Sequence, residues 1–191
     1  MAQIVLFHSA QGLRPGVTQW ADSLREGGHE VWTPDVFEGR TFDRLEDGIA
    51  HRDQLGIPEL MKRTADALEE LPAELVYAGF SMGAATGHYF ALTRPGARAA
   101  LLMHAVAPEE TLGGKSWPAG VPAQVHYAVD DPFMNAGDLP DLERAAGELV
   151  ETYTYPGDGH LFADPDAPEY DHASAELMLE RELAFLERLS R

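Results

Sequence analysis

A serine between two glycines, a histidine in a late glycine-rich loop and a pair of aspartates between them are the residues of this chain best suited to covalent chemistry. Gly79-Phe80-Ser81-Met82-Gly83 is a G-x-S-x-G pentapeptide. Three fixed positions at common residue frequencies arise by chance in roughly one chain in twenty of this length, so the motif takes its weight from its context. An apolar run, Glu74–Phe80, precedes it, and a stretch of small residues, Ala84–Leu92, follows it. The pentapeptide therefore joins a strand to a helix, the setting in which such a turn holds a serine hydroxyl exposed. The turn leaves no room for a Cβ on its flanks, which accounts for the glycines. The N-terminus of the following helix aims its dipole and free N–H groups at a developing oxyanion. The chemistry implied is attack by Ser81 on a carbonyl carbon.

A serine hydroxyl needs a base, and the chain has eight histidines. His160 stands in Pro156-Gly157-Asp158-Gly159-His160, directly after the last predicted strand. Loops at the C-terminal ends of parallel strands converge on one edge of a sheet, which favours His160. His29 begins a strand and lies at the opposite edge. His51, His88 and His172 fall in or beside helices, while His104 and His126 lie on strands and are expected to be packed. His8 ends the first strand and is expected to line the pocket. The imidazole in turn needs a carboxylate, and Asp130-Asp131-Pro132 follows the fifth strand at the same edge. Strand alternation leaves open which aspartate points inward. The backbone N–H groups of Ala10, in the loop after the first strand, and of Met82 are the expected oxyanion donors.

His8, Gln11, Phe37, Trp117, Phe133 and Phe162 all fall in loops near this edge and are the candidate pocket residues. Residues 40–57 are a candidate partial lid. Two other classes of function compete with a serine nucleophile. One is a non-catalytic protein that binds a small molecule on the same scaffold, since a fold does not fix a function. The other is a metal-dependent hydrolase using the acidic run from Asp158 to His172, which lacks any recognised metal-ligand spacing. The leading reading needs no metal and no cofactor.

The elements that must position these residues alternate along the chain. Strands are expected at Gln3–His8, His29–Thr33, Glu74–Phe80, Ala99–His104, Val121–Val129 and Val150–Tyr155. Helices are expected at Val17–Glu26, Pro58–Leu71, Ala84–Leu92, Leu139–Leu149 and Ser174–Leu189, with a short one in Gly39–His51 and a loop over Glu109–Gly120. Alternation of this kind gives an α/β fold, a mostly parallel six-stranded sheet with helices on both faces. The 191 residues suit a single domain spanning 1–191. There is no cysteine, which excludes disulfides and thiolate chemistry. A formal charge of −18 disfavours nucleic acid and anionic lipid as partners, and disfavours a strongly anionic substrate as well. No apolar run is long enough to span a membrane, and the N-terminal stretch reads as a strand rather than a signal peptide, so a cytoplasmic protein is expected. Monomer and homodimer are equally compatible with the sequence.

Over nearly its whole length the chain resembles the dienelactone hydrolase family. The residues that carry the likeness are Gly79-Phe80-Ser81-Met82-Gly83-Ala84-Ala85, Thr33-Pro34-Asp35-Val36-Phe37, Val129-Asp130-Asp131-Pro132-Phe133 and Tyr155-Pro156-Gly157-Asp158-Gly159-His160-Leu161-Phe162. The resemblance implies a compact α/β-hydrolase with strand order 2-1-3-4-5-6. It implies Ser81, Asp131 and His160 as a catalytic triad, and a small ester or lactone as substrate. Serine stands where many relatives carry cysteine. Ser9 replaces a glutamate that helps activate that thiol, and Asp164 replaces an arginine that grips a substrate carboxylate. These departures point to a neutral or cationic ester, or an uncharged lactone, rather than to dienelactone.

Overall fold

The computed structural model of the chain describes residues 1–134 and 137–189. Six strands form one sheet: β1 (Gln3–Phe7), β2 (Glu30–Trp32), β3 (Leu75–Phe80), β4 (Ala97–Met103), β5 (Ala123–Ala128) and β6 (Val150–Tyr155). Their order is β2-β1-β3-β4-β5-β6, and every pairing is parallel, so the sheet is wholly rather than mostly parallel. Among the described residues seven α-helices connect and cover it: α1 (Pro15–Glu26), α2 (Leu45–Leu55), α3 (Ile57–Leu68), α4 (Met82–Thr93), α5 (Glu109–Leu112), α6 (Asp138–Ala146) and α7 (His172–Leu189).

The period of two along each strand divides the core into two layers. Ile4 and Leu6 of β1, Val76, Ala78 and Phe80 of β3, and Leu101 and Met103 of β4 pack against Val17, Trp20 and Leu24 of α1 and Met178 and Phe185 of α7. The intervening residues Val5, Phe7, Leu75, Tyr77, Ala100 and Leu102 pack on the other side against Leu68 of α3, Ala84 and Phe90 of α4, and Leu139 and Leu142 of α6. Both faces are thus covered, which is why the strands read as continuous apolar runs.

Several element boundaries differ from expectation, the helix expected over Pro58–Leu71 ending at Leu68 among them. The helix expected in Gly39–His51 begins only at Leu45 and runs to Leu55. The preceding residues are tied down instead: Phe42 N–H donates to the Gln11 carbonyl, and Gln11 Nε2 donates to the carbonyls of Phe42 and Asp43. These bonds hold the segment across the loop after β1, out of helical register. The helix expected to reach Leu149 stops at Ala146, because Gly147 adopts φ +59° and a 3-10 turn follows. The loop expected at Glu109–Gly120 contains the single helical turn α5. Among the described residues no helix is long and apolar enough to cross a membrane.

Candidate active site

The C-terminal ends of β3, β5 and β6 bring three side chains into one hydrogen-bonded line. Ser81 follows β3 at φ 53° and ψ −112°, in the left-handed half of backbone space that a serine adopts only at a cost of about 1–3 kcal/mol. The surroundings hold it there. Ser81 N–H donates to the Met103 carbonyl at 2.8 Å, and the Ser81 carbonyl accepts from Ala85 N–H at 3.1 Å. A Cβ on Gly79 would meet the Gly83 carbonyl carbon at 2.2 Å, and one on Gly83 would meet the Phe7 carbonyl oxygen at 2.3 Å. Both glycines are therefore demanded by close approach of backbone to backbone.

His160 Nε2 lies 2.7 Å from Ser81 Oγ. Its Nδ1 lies 2.8 Å and 3.0 Å from the two carboxylate oxygens of Asp131. An ionised carboxylate only accepts, so Nδ1 carries the proton and Nε2 is left free to accept from the serine hydroxyl. Asp131 is fixed on its other side, where Oδ1 accepts from Phe133 N–H at 2.8 Å. Its side chain and that of His160 are almost wholly screened from solvent, which strengthens every charge interaction between them. Of the two aspartates left open by strand alternation, Asp131 faces the histidine; Asp130 is exposed.

Gly83 packs against the carbonyls of Phe7 and His8, so the start of α4 lies beside the loop after β1. Met82 is the first residue of α4, where backbone N–H groups have no partner within the helix. Ala10 stands in a tight turn closed by Gly12 N–H on the Ser9 carbonyl and by Gln11 N–H on Ser9 Oγ. Both expected oxyanion donors thus belong to the segments that flank Ser81.

Phe133, half exposed, lies over the His160 ring with centroids 4.6 Å apart. The other expected pocket residues serve the scaffold. His8 is buried, donating from Nδ1 to the Ser9 carbonyl and accepting at Nε2 from Val36 N–H, so it ties the loops after β1 and β2 together. Burial holds its pKa below the ordinary value, in keeping with a neutral ring. Gln11 spends its amide on the loop described above. Phe37 is buried under the site, packed edge-on against His8 and His51. Trp117 packs on His88 of α4 and donates to the Val121 carbonyl, away from Ser81 and His160. Phe162 is buried between Tyr155 and His104.

Asp164 also departs from expectation. It is buried, with Oδ1 accepting from Asp166 N–H and lying against Gly16 at the start of α1. Asp166 caps Gly16 N–H in turn. The carboxylate that was expected to face a substrate is therefore part of a brace between the loop after β6 and α1. Other carboxylates of the acidic run are similarly engaged: Glu169 with Leu161 N–H and Asp171 with Ser174 N–H. Among the described residues no three histidine, aspartate or glutamate side chains cluster as metal ligands would.

His104, expected to be packed, follows β4 at φ 69° and is fully buried. Its ring stacks on Phe80 and stands 6.1 Å from that of His160. Burial drives its pKa well below the ordinary value, so no cation forms beside His160.

A wholly parallel sheet in this order, with a strained serine turn after its third strand, is the α/β-hydrolase fold. Solved structures share it. A dienelactone hydrolase-like promiscuous phosphotriesterase from metagenomic libraries is 20% identical, with a TM-score of 0.82 over 99% of this chain and 87% of that one. Esterase PE8 is 18% identical, with a TM-score of 0.67 over 98% and 92% of the two chains. The esterase domain of a Rhodothermus marinus protein is 18% identical, with a TM-score of 0.58 over 98% and 87%. A search among curated proteins finds no match. Residues 1–190 match the dienelactone hydrolase family, and the chain belongs to it.

Proposed function

We propose that the protein is a serine hydrolase that cleaves a small ester or lactone through an acyl-enzyme. Ser81 Oγ attacks the carbonyl carbon while His160 Nε2 takes its proton. The oxyanion that forms is held by the N–H groups of Met82 and Ala10. His160 then returns the proton to the leaving alkoxide, the carbonyl reforms, and Ser81 is left acylated. Water, deprotonated by His160, attacks the acyl carbon; the bond from that carbon to Ser81 Oγ then breaks, His160 returns the proton to Ser81, and the acid leaves. Asp131 keeps the imidazole in the Nδ1–H tautomer and offsets the charge of the transient imidazolium.

The observation that carries this reading is the unbroken line from Ser81 Oγ to His160 at 2.7 Å and on to Asp131 at 2.8 Å, built on a strained backbone at Ser81. Strain kept at one residue of a site is characteristic of a functional constraint. Membership of the family supports hydrolysis as the reaction class. The test is Ser81→Ala. Turnover of p-nitrophenyl esters and labelling by a fluorophosphonate probe should both vanish while the circular dichroism spectrum is kept. Full activity in this variant would overturn the reading.

A further inference from the structure

The triad accounts for bond cleavage but leaves unassigned a cavity of about 540 Å³ that starts one residue beyond Ser81. Its floor is a single stripe of α4: Met82, Ala85, Thr86 and Tyr89, at i, i+3, i+4 and i+7. Thr86 Oγ1 donates to the Met82 carbonyl at 2.9 Å, so its hydroxyl is spent on the helix. One wall is Leu60 and Met61 of α3, topped by Ile57, an apolar side chain left more than half exposed. The other wall is Pro108, which precedes α5, and Thr111 of α5. Leu60 is anchored in a cluster with Val36 and Phe37, against which Met82 also packs, so the wall nearest the serine is rigid. The charged rim residues Arg52 and Asp53 hydrogen-bond to each other. The size and apolar lining are those of a small-molecule pocket.

The geometry points to this groove as the acyl site of the hydrolase, built for the neutral, unbranched alkyl chain of a medium-length carboxylic ester. The inference rests on Ser81 being the nucleophile. In that mechanism the leaving alcohol takes its proton from His160 Nε2, so it lies on the side of His160 and Phe133. Neither of those residues lines the groove, which opens instead beside Met82. The acyl half is left to run along α4. From Met82 to Tyr89 the helix rises about 10 Å, the reach of an acyl chain of roughly eight carbons. With Arg52 engaged by Asp53, the lining offers a second substrate carboxylate no open cation.

The test is kcat/KM on p-nitrophenyl esters from acetate to laurate. It should rise from acetate to octanoate by up to about fourfold per methylene and level off beyond. Ala85→Phe should block the floor and cut the octanoate-to-acetate ratio at least tenfold. Tyr89→Ala should open the far end and move the plateau to longer chains, and it decides the matter if Ala85→Phe fails to fold. A flat chain-length profile for Ser81-dependent turnover would overturn the groove alone. Absence of Ser81-dependent turnover on every ester would overturn the triad reading. In that case the groove is judged by calorimetry on Ser81→Ala protein, where methyl octanoate must bind at least tenfold more tightly than methyl acetate; equal binding refutes it.

Discussion

Asp131→Asn separates the two tasks given to the carboxylate. Asp131 Oδ1 accepts from Phe133 N–H at 2.8 Å, and Oδ2 makes the shorter contact with His160 Nδ1, also at 2.8 Å. An amide has only one oxygen. If that oxygen stays on Phe133, the NH2 group faces Nδ1 and forces the proton onto Nε2, where it can no longer accept from Ser81. If the amide flips, its NH2 group confronts the Phe133 N–H and leaves a buried donor unsatisfied, at about 1–3 kcal/mol. Either way the anion opposite the imidazolium is lost, worth about 4 kcal/mol at an effective dielectric constant near 20. The sum, about 5–7 kcal/mol, corresponds to a fall in kcat of roughly ten-thousandfold to a hundred-thousandfold. Steady-state hydrolysis of a p-nitrophenyl ester measures it, with KM expected to change little because Asp131 does not touch substrate. A folded Asp131→Asn variant that keeps more than a hundredth of wild-type kcat would refute the reasoning.

Two predictions concern stability. Glu182 of α7 is fully buried, with one oxygen accepting from Trp20 Nε1 at 3.0 Å, and burial raises its pKa from 4.5 to about 8. The raised value means that stability present below pH 4.5 is lost as pH rises towards 8, so Glu182→Gln should gain up to about 4 kcal/mol over wild type in urea unfolding near pH 8 and little near pH 4.5. In the opposite direction, burial lowers His88 to about 4 and His126 to about 3. These depressed values mean that stability present above pH 6.5 is lost as pH falls towards 3, so with Glu182 acting on the alkaline side the melting temperature should peak at about pH 6–7.

The strands were legible because each is buried on both faces and reads as an apolar run bounded by turn residues. The family resemblance singled out Asp131, and the meeting of Ser81 and His160 with one of two aspartates was legible from their places after β3, β5 and β6. Side-chain direction in loops was not. Phe162 follows β6 at the correct edge, yet an aromatic ring there can turn inward to the core as readily as outward to a pocket, and it turns inward; Trp117 lies in the segment that leads into β5 and is buried there. His8 and Gln11 were read as pocket residues, but their polar groups serve backbone partners in neighbouring loops. Those partners are Val36 and Asp43, remote in sequence. The groove along α4 was missed for a related reason. That helix carries apolar and small residues around its whole circumference, so no periodic stripe marks the face that contains Ala85 and Tyr89. Asp164 shows the hazard of carrying a role over by position, since here the carboxylate braces α1.

The order of strands in the sheet has a consequence for biosynthesis. Ser81 follows a central strand, β3, while His160 follows β6, an edge strand that pairs with β5 and is the last of the six to leave the ribosome. A nascent chain that has completed β1 to β4 can build the strained serine turn but has no base to ionise it. Ser81 should therefore stay chemically silent until β6 docks, and labelling by a fluorophosphonate during refolding would time that docking.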